Sequence, residues 1–236
     1  MTSSAQPAID ILSAGAVKTL LADLARAFLD RDGTRSRLTF DTAPAITRRI
    51  EDGEPCDVLV APPAVLAGLS GSGRFAVGRK TPLARVGIGM VGRVGQQAPD
   101  ISTEAAVTAA LLDATAIIIN QASTGLYLEK MLSRLGIFER VADRLVRLPT
   151  GRAVMERMAD APPDHIGFGA VTEIEVHKAL GVRLAALLPE QLQNYTNYEA
   201  ASSAAPQAHR AADRFIAFIG SPDSDACFTA SGVERI

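Results

Sequence analysis

Tryptophan is absent from this sequence of 236 residues, and aromatic residues make up only 5% of it. A hydrophobic core must therefore rest mainly on aliphatic side chains. The content of 47% hydrophobic and 21% charged residues is that of a globular protein and argues against disorder. The net charge of −2 lacks the basic excess that nucleic acid or an anionic membrane surface would need in a partner. Attraction for an anion would have to be local.

Motifs for metals and cofactors are lacking as well. Cys56 and Cys227 lie far apart, and the three histidines form no spacing typical of metal ligands, so we expect no metal site and two free thiols. The sequence contains no P-loop, no nucleophile elbow, no zinc-protease motif and no dinucleotide-binding glycine motif. We therefore expect no cofactor, and hydrolase, kinase and dehydrogenase activities are disfavoured.

The beginning of the sequence has no basic segment followed by an apolar one, as a secretory signal would. No apolar run reaches the roughly 20 residues that cross a bilayer. These absences predict a cytoplasmic protein without a membrane partner. A protein whose leader had been removed would look the same and would be periplasmic.

Short apolar runs alternate with helical periodicity, which is typical of α/β folds with parallel strands. The predicted strands are residues 9–13, 37–41, 57–61, 84–91, 116–120, 145–148, 165–169 and 182–188. The predicted helices are residues 17–31, 44–51, 65–68, 104–112, 125–136, 137–142, 152–159, 171–177, 208–219 and 226–231. The run Ala116-Ile117-Ile118-Ile119-Asn120 is continuously apolar up to Asn120, which predicts cover on both faces of the sheet.

Four predicted strand-to-helix turns carry small or hydroxyl residues. In open α/β sheets such turns lie beyond the carboxyl ends of strands, where helix N-termini offer N–H groups to a small anion. The alternative is that serine and threonine only cap the helices. The turns are Ser13-Ala14-Gly15-Ala16, Thr42-Ala43-Pro44, Ser123-Thr124-Gly125 and Thr150-Gly151-Arg152.

An ordered set of short stretches resembles the periplasmic molybdate-binding protein family, within the type 2 solute-binding proteins that also include aconitate isomerase-like members. The resemblance extends from about Ile9 to Ala217. The stretches are Leu12-Ser13-Ala14-Gly15-Ala16, Phe40-Asp41-Thr42-Ala43-Pro44, Ile50-Glu51-Asp52-Gly53, Asp57-Val58-Leu59-Val60-Ala61, Ser123-Thr124-Gly125-Leu126-Tyr127, Ile166-Gly167-Phe168-Gly169 and Leu188-Pro189-Glu190.

The resemblance implies the two-lobed α/β fold of type 2 periplasmic binding proteins. Each lobe would hold a mixed, mostly parallel sheet flanked by helices, and two crossovers near residues 82–85 and 191–198 would join the lobes. Lobe one would comprise residues 1–82 and 196–236, and lobe two residues 84–192. A ligand would lie in the cleft between them.

The sequence departs from the family where the oxyanion is held. Molybdate binders use backbone N–H groups, two serine hydroxyls and a tyrosine hydroxyl. The corresponding positions here are Ala16, Ala43 or Pro44, and Phe168, which carry no hydroxyl. Each missing buried donor costs on the order of 1–3 kcal/mol. We therefore expect an organic anion, such as a di- or tricarboxylate, rather than molybdate.

Arg152 opens a predicted helix and is suited to clamp a carboxylate, although a solvated surface arginine is the alternative. Ser123 and Thr124 are the best hydroxyl donors, unless they only cap their helix. Phe168 would contact the apolar part of the ligand or belong to the core. The predicted ligand-binding residues are Ser13, Gly15, Ala16, Thr42, Pro44, Ser123, Thr124, Arg152 and Phe168.

Binding of a small anion is the function that these residues favour, and catalysis is the alternative. The aconitate isomerase-like members imply a cofactor-free isomerase that moves a double bond by proton abstraction and reprotonation. Tyr127 and Asp41 are the candidate catalytic residues, with Lys18 and Tyr195 as further candidates, while Asp41 could equally cap a turn. A third possibility is an effector-binding protein that acts through an unknown protein partner.

Overall fold

The computed structural model describes residues 8–206, 208–231 and 233–236. The chain forms two compact units. Unit 1 comprises the described residues up to Arg85 together with those from Thr196 to Ile236, and unit 2 comprises Val86–Tyr195. Within the described residues, no helix is long and apolar enough to cross a membrane.

Strands and helices alternate through most of both units. In chain order, the strands are β1 (Ala8–Ala14), β2 (Arg35–Asp41), β3 (Val58–Ala61), β4 (Val77–Val86), β5 (Ile88–Arg93), β6 (Ala116–Asn120), β7 (Leu145–Leu148), β8 (His165–Ala170), β9 (Val182–Leu187), β10 (Thr196–Ser203) and β11 (Glu234–Arg235). The helices are α1 (Lys18–Asp32), α2 (Ala43–Glu51), α3 (Pro63–Gly71), α4 (Glu104–Asp113), α5 (Ser123–Arg134), α6 (Phe138–Val141), α7 (Gly151–Ala159), α8 (Val171–Val176), α9 (Ala211–Ile219) and α10 (Asp225–Ser231).

Unit 1 contains a mixed sheet with the strand order β11-β4-β10-β3-β1-β2. β1 is parallel to β2 and to β3, whereas β10 is antiparallel to β3. Because Ala14 pairs with Asp41 at the ends of β1 and β2, the loops that follow these strands lie at the same edge of the sheet. Phe28 of α1 packs edge-to-face on Phe215 of α9, with ring centroids 5.2 Å apart.

Unit 2 contains a second mixed sheet, with the order β7-β6-β8-β5-β9. β6 is parallel to both β7 and β8, while β5 is antiparallel to β8 and β9. The carboxyl ends of β6, β7 and β8 therefore meet at one edge. All five residues of β6 are buried, as their continuous apolar run predicts.

Both faces of the unit 2 sheet are covered by helices. Ile117 and Ile119 of β6 pack on one face with apolar residues of α4, α5 and α6. Ile118 points to the opposite face, where it packs with residues of α7 and with Ile174 of α8. The alternation along β6 thus supplies one hydrophobic core on each side of the sheet.

The prediction of a single strand over residues 84–91 is wrong, because β4 ends at Val86 and β5 begins at Ile88. A Cβ on the intervening Gly87 would lie 3.0 Å from the ring of Tyr195. The Gln193 side chain accepts a hydrogen bond from Ile88 N (2.7 Å) and donates one to Ile88 O (3.0 Å), as a neighbouring strand would. The strand β10 was not predicted, and α5 begins two residues before the predicted start.

Candidate functional site

The loop after β6 is organised by the side chain of Asn120, which is 8% exposed. Its Oδ1 accepts hydrogen bonds from the amides of Ala122 (3.0 Å) and Gly125 (3.0 Å). The Ser123 and Thr124 amides at the start of α5 have no hydrogen-bond partner within the described residues. Ser123 is exposed and Thr124 is half-buried. This turn therefore offers two backbone N–H groups and two hydroxyls, at the end of a helix that favours negative charge.

Gly125 is required by the close approach of α5 to the end of β6. A Cβ at this position would lie 1.7 Å from the carbonyl oxygen of Asn120 and 2.8 Å from its carbonyl carbon. No rotation of a neighbouring side chain could relieve this overlap, because both atoms belong to the backbone. The glycine of the Ser-Thr-Gly turn thus permits the hydrogen bond between Gly125 N and Asn120 Oδ1.

The loop after β7 starts α7 with a threonine cap. Thr150 Oγ1 accepts a hydrogen bond from Ala153 N (3.1 Å), as the capping alternative described. The guanidinium of Arg152 donates to Glu156 on the next turn (2.8 Å), which raises the pKa of Arg152. The Arg152 side chain is 70% exposed. Such a solvent-exposed pair contributes little to stability, so Arg152 could exchange Glu156 for a ligand carboxylate at little cost.

The loop after β8 brings polar side chains that the prediction did not include. Thr172 is 8% exposed, and its buried Oγ1 has no hydrogen-bond partner in the part of the chain that the structure describes. Glu173 reaches the first turn of α7, because a Cβ on Gly151 would lie only 2.8 Å from Glu173 Cγ. Phe168 is 1% exposed and packs in the core with Ile88 and its neighbours, so core packing accounts for its burial. Its contact with a ligand stays a prediction.

In unit 1, the loop after β2 forms a capped turn. Thr42 Oγ1 accepts a hydrogen bond from Ala45 N (3.4 Å), and Asp41 Oδ1 accepts one from Thr42 N (2.8 Å). Asp41 also pairs with Arg49 (3.3 Å). Pro44 occupies the first turn of α2, where it contributes no N–H. Asp41 thus acts as the turn cap that was its alternative role.

The loop after β1 is a short 3-10 turn, Gly15–Val17, that leads into α1. Gly15 and Ala16 are partly exposed at the same edge as Asp41. Ser13 is fully buried, and its hydroxyl donates to the carbonyl of Ala14 (3.0 Å). Backbone groups of Gly15 and Ala16, rather than the Ser13 hydroxyl, are therefore what this loop presents to solvent.

Tyr127, one of the two candidate catalytic residues, makes a structural hydrogen bond within unit 2. Its hydroxyl donates to the carbonyl of Leu192 (2.9 Å), and its ring packs against the core. Proton transfer by Tyr127 would require this bond to break. Within the described residues, no group of three or more histidine, cysteine or acidic side chains could hold a metal ion.

A cavity of about 460 Å³ opens at the opposite edge of the unit 1 sheet, next to the start of β1. The Asp57 carboxylate at this edge accepts hydrogen bonds from the amides of Asp10 (2.8 Å) and His209 (2.6 Å). Burial raises the pKa of the neighbouring Cys56 thiol to about 12, so it stays protonated at neutral pH. The Asp57 carboxylate is thus engaged and the Cys56 thiol is inert, and the further carboxylates of Asp10 and Glu54 make this cavity unfavourable for an anion.

The residues predicted from the sequence to form the site do not include Asn120, Thr172 and Glu173. Asn120 ends an apolar strand and precedes two hydroxyl residues and a glycine, a pattern typical of a side chain that accepts hydrogen bonds from the following turn. Glu173 gives no such signal, because its contact with Gly151 joins the first turns of two different helices, α8 and α7.

Comparison with known proteins gives a consistent family and fold. The family model described as bacterial extracellular solute-binding protein matches residues 9–234. An aconitate isomerase from a Pseudomonas species is 26% identical over 244 residues, which cover 99% of this chain and 90% of that protein.

Two solved structures share the fold. A substrate-binding domain assigned to a molybdenum ABC transporter from Clostridium difficile has a TM-score of 0.79 at 16% identity and covers 97% of this chain and 98% of its own. The periplasmic molybdate-binding protein of Azotobacter vinelandii has a TM-score of 0.72 at 19% identity, and the match covers 95% of this chain and 98% of that protein. The match over nearly the whole length shows that the chain belongs to the bacterial extracellular solute-binding protein family.

Proposed function

We propose that the chain binds a small organic anion, a di- or tricarboxylate, through the loops at the carboxyl ends of its parallel strands. The observation that carries this proposal is the start of α5. Asn120 Oδ1 takes up the amides of Ala122 and Gly125, and this leaves the amides and hydroxyls of Ser123 and Thr124 available to a ligand. A helix N-terminus with such donors stabilises an anion without a large local charge.

Several features favour an organic anion over molybdate. By the resemblance to molybdate binders, their two serine positions correspond to Ala16 and to Ala43 or Pro44, which carry no hydroxyl, and the hydroxyl of Ser13 is engaged by its own backbone. Arg152, in contrast, is exposed and held only by a weak ion pair, so it is available to a carboxylate. The Pseudomonas relative is named for a reaction of aconitate, which is a tricarboxylate.

The test is a binding titration of the purified protein with citrate, both aconitate isomers, malate and succinate, and separately with molybdate. We expect micromolar binding of at least one carboxylate and no thermal stabilisation by molybdate. Stabilisation by molybdate alone would contradict the proposal.

Substitutions at Ser123 separate its two donors. Ser123→Pro removes the amide at the first helical position, where proline is tolerated, and the preceding residue is already extended. Ser123→Ala removes only the hydroxyl. We expect the proline variant to lose about tenfold in affinity and the alanine variant to lose less. Ser133→Ala, near the other end of the same helix, is the matched control and should bind as the parent protein does.

A second candidate function is a cofactor-free isomerase acting on an unsaturated carboxylate. It is favoured by the 26% identity to the aconitate isomerase over nearly the whole chain. A base would remove a proton beside a carboxylate, and an acid would return one at the other end of the allylic system. Tyr127 and Asp41 remain candidates for this step, although both now hold structural hydrogen bonds.

Proton NMR in D₂O distinguishes the two functions. Conversion of one aconitate isomer into the other, or exchange of a ligand proton for deuterium, would establish the enzyme. Line-broadening of the ligand signals without conversion would establish a binding protein.

A further inference from the structure

We infer that Glu173 makes the site select ligands that carry an O–H group next to a carboxylate, namely hydroxycarboxylates or incompletely ionised polycarboxylates. This inference rests on the proposed function, because it concerns which anions the same loops accept. It gives Glu173 the role of a specificity-determining residue.

Contact between α8 and α7 sets the position of this carboxylate. A Cβ on Gly151 would lie 2.8 Å from Glu173 Cγ, 3.1 Å from its carboxyl carbon and 3.5 Å from Oε1. Glu173 therefore lies directly against the first turn of α7. The glycine at 151 leaves the space that the carboxylate occupies.

His177 restrains Glu173 from the other side. Its Nδ1 lies 2.8 Å from the carbonyl oxygen of Glu173 and 3.4 Å from Oε1 of the same residue. Because a carbonyl oxygen only accepts hydrogen bonds, Nδ1 is the protonated nitrogen of this ring. His177 thus donates its hydrogen bond to the Glu173 carbonyl and lies near the carboxylate, whose side chain is 29% exposed and borders Gly151.

An acceptor in this position discriminates between anions. An ionised carboxylate has no hydrogen to donate, so a fully ionised ligand oxygen beside it meets a like charge and gains no hydrogen bond. A ligand hydroxyl, or a protonated carboxyl, donates to Glu173 instead. Thr150 takes up the amide of Ala153, whereas the amides of Gly151 and Arg152 and the exposed Arg152 guanidinium remain available to a neighbouring ligand carboxylate.

Thr172 precedes Glu173 in the same turn. It is 8% exposed, and its Oγ1 has no partner among the residues that the structure describes. Because this oxygen is closed to solvent, a ligand does not reach it, and Glu173 is the polar side chain of this turn that is partly exposed to a ligand.

Matched ligand pairs test the inference. Malate differs from succinate, and citrate from propane-1,2,3-tricarboxylate, by one hydroxyl. We expect the parent protein to bind the hydroxylated member of at least one pair about tenfold more tightly. In Glu173→Gln this preference should fall severalfold, because the loss of charge relieves the repulsion of the unhydroxylated anion. Glu175→Gln, which makes the same charge change on the same helix, should keep the parent preference.

Gly151→Ala provides a second variant, since its methyl group displaces Glu173 without removing it. The preference for the hydroxylated ligand should be weaker in this variant than in the parent protein. Equal affinity for both members of every bound pair in the parent protein would overturn the inference while leaving the proposed function intact. So would an unchanged preference in folded Glu173→Gln. Failure of every carboxylate to bind the parent protein would overturn the proposed function, and the inference with it.

Discussion

Replacement of Gly125 by alanine should disrupt the start of α5. The new Cβ would lie 1.7 Å from the carbonyl oxygen of Asn120, so the two backbones must separate by about 1.3 Å to reach the closest contact that real Cβ atoms make. That movement breaks the 3.0 Å hydrogen bond between Gly125 N and Asn120 Oδ1. Overpacking costs about 1–3 kcal/mol, and a buried polar group left without its partner costs another 1–3 kcal/mol. We therefore expect a loss of about 2–6 kcal/mol of stability.

The assay is urea unfolding followed by far-ultraviolet circular dichroism, because the sequence has no tryptophan for fluorescence. With a slope of about 2 kcal/mol per molar urea, the middle of the usual range, the midpoint for unit 2 should fall by about 1–3 M. Gly68→Ala is the matched control. Gly68 lies inside α3 with nothing within 4 Å of an added Cβ, so alanine there should stabilise by about 0.5–1 kcal/mol. An unchanged midpoint in Gly125→Ala would refute the steric reasoning.

Three further predictions follow from individual side chains. Hydrogen bonds from Arg214 and Thr34 lower the pKa of Asp32 to about 2. Its stabilising contribution is therefore present above about pH 4 and is lost as the pH falls through 2. The melting temperature, measured as a function of pH over that interval, should decline less steeply in Asp32→Asn than in the parent protein. The Cys56 thiol, whose pKa is raised to about 12, should resist iodoacetamide at pH 8 in the folded protein and react in urea. Peptide mass spectrometry measures the labelling, and equal labelling in both states would contradict the burial of Cys56. Asn120→Ala should lower the free energy of unfolding, measured in urea, by about 1–3 kcal/mol. Asn120→Asp keeps the acceptor oxygen and should lower it less. Equal losses in the two variants would argue against the capping role.

The parallel strands β3 and β6 were predictable because their apolar runs are buried on both faces of the sheet. The run at Ala116–Asn120 must be covered on both sides, and Ile118 and Ile119 do contact different groups of helices. β10 was missed for the opposite reason. Ala200, Ala201 and Ser202 are fully buried but small, and a Cβ on Gly78 would lie 2.8 Å from the Ser202 hydroxyl. This strand joins the sheet through close packing of its backbone rather than through large apolar side chains. A search for hydrophobic patterns in the sequence therefore does not predict it.

The candidate site was predictable to the level of loops but not of all its side chains. Small and hydroxyl residues after strands correctly indicated the turns that start α2, α5 and α7. Whether a given hydroxyl faces a ligand or caps its own helix depends on its side-chain conformation, which the sequence does not specify; Thr42 and Thr150 both cap. The contact between Gly151 and Glu173 depends on how α7 and α8 pack, which no local pattern encodes.

The position of β10 in the sheet has a consequence for synthesis of the chain on the ribosome. β10 lies between β3 and β4, yet it is made only after all of Val86–Tyr195. While those residues emerge, β3 has no neighbour on one side and exposes unpaired backbone groups, which invite association with other chains. Unit 2, whose residues are contiguous, can fold as soon as Tyr195 has emerged. We therefore expect unit 1, whose synthesis begins before that of unit 2, to be completed last, and a nascent chain whose Tyr195 has just emerged to carry a folded unit 2 and an unfinished unit 1.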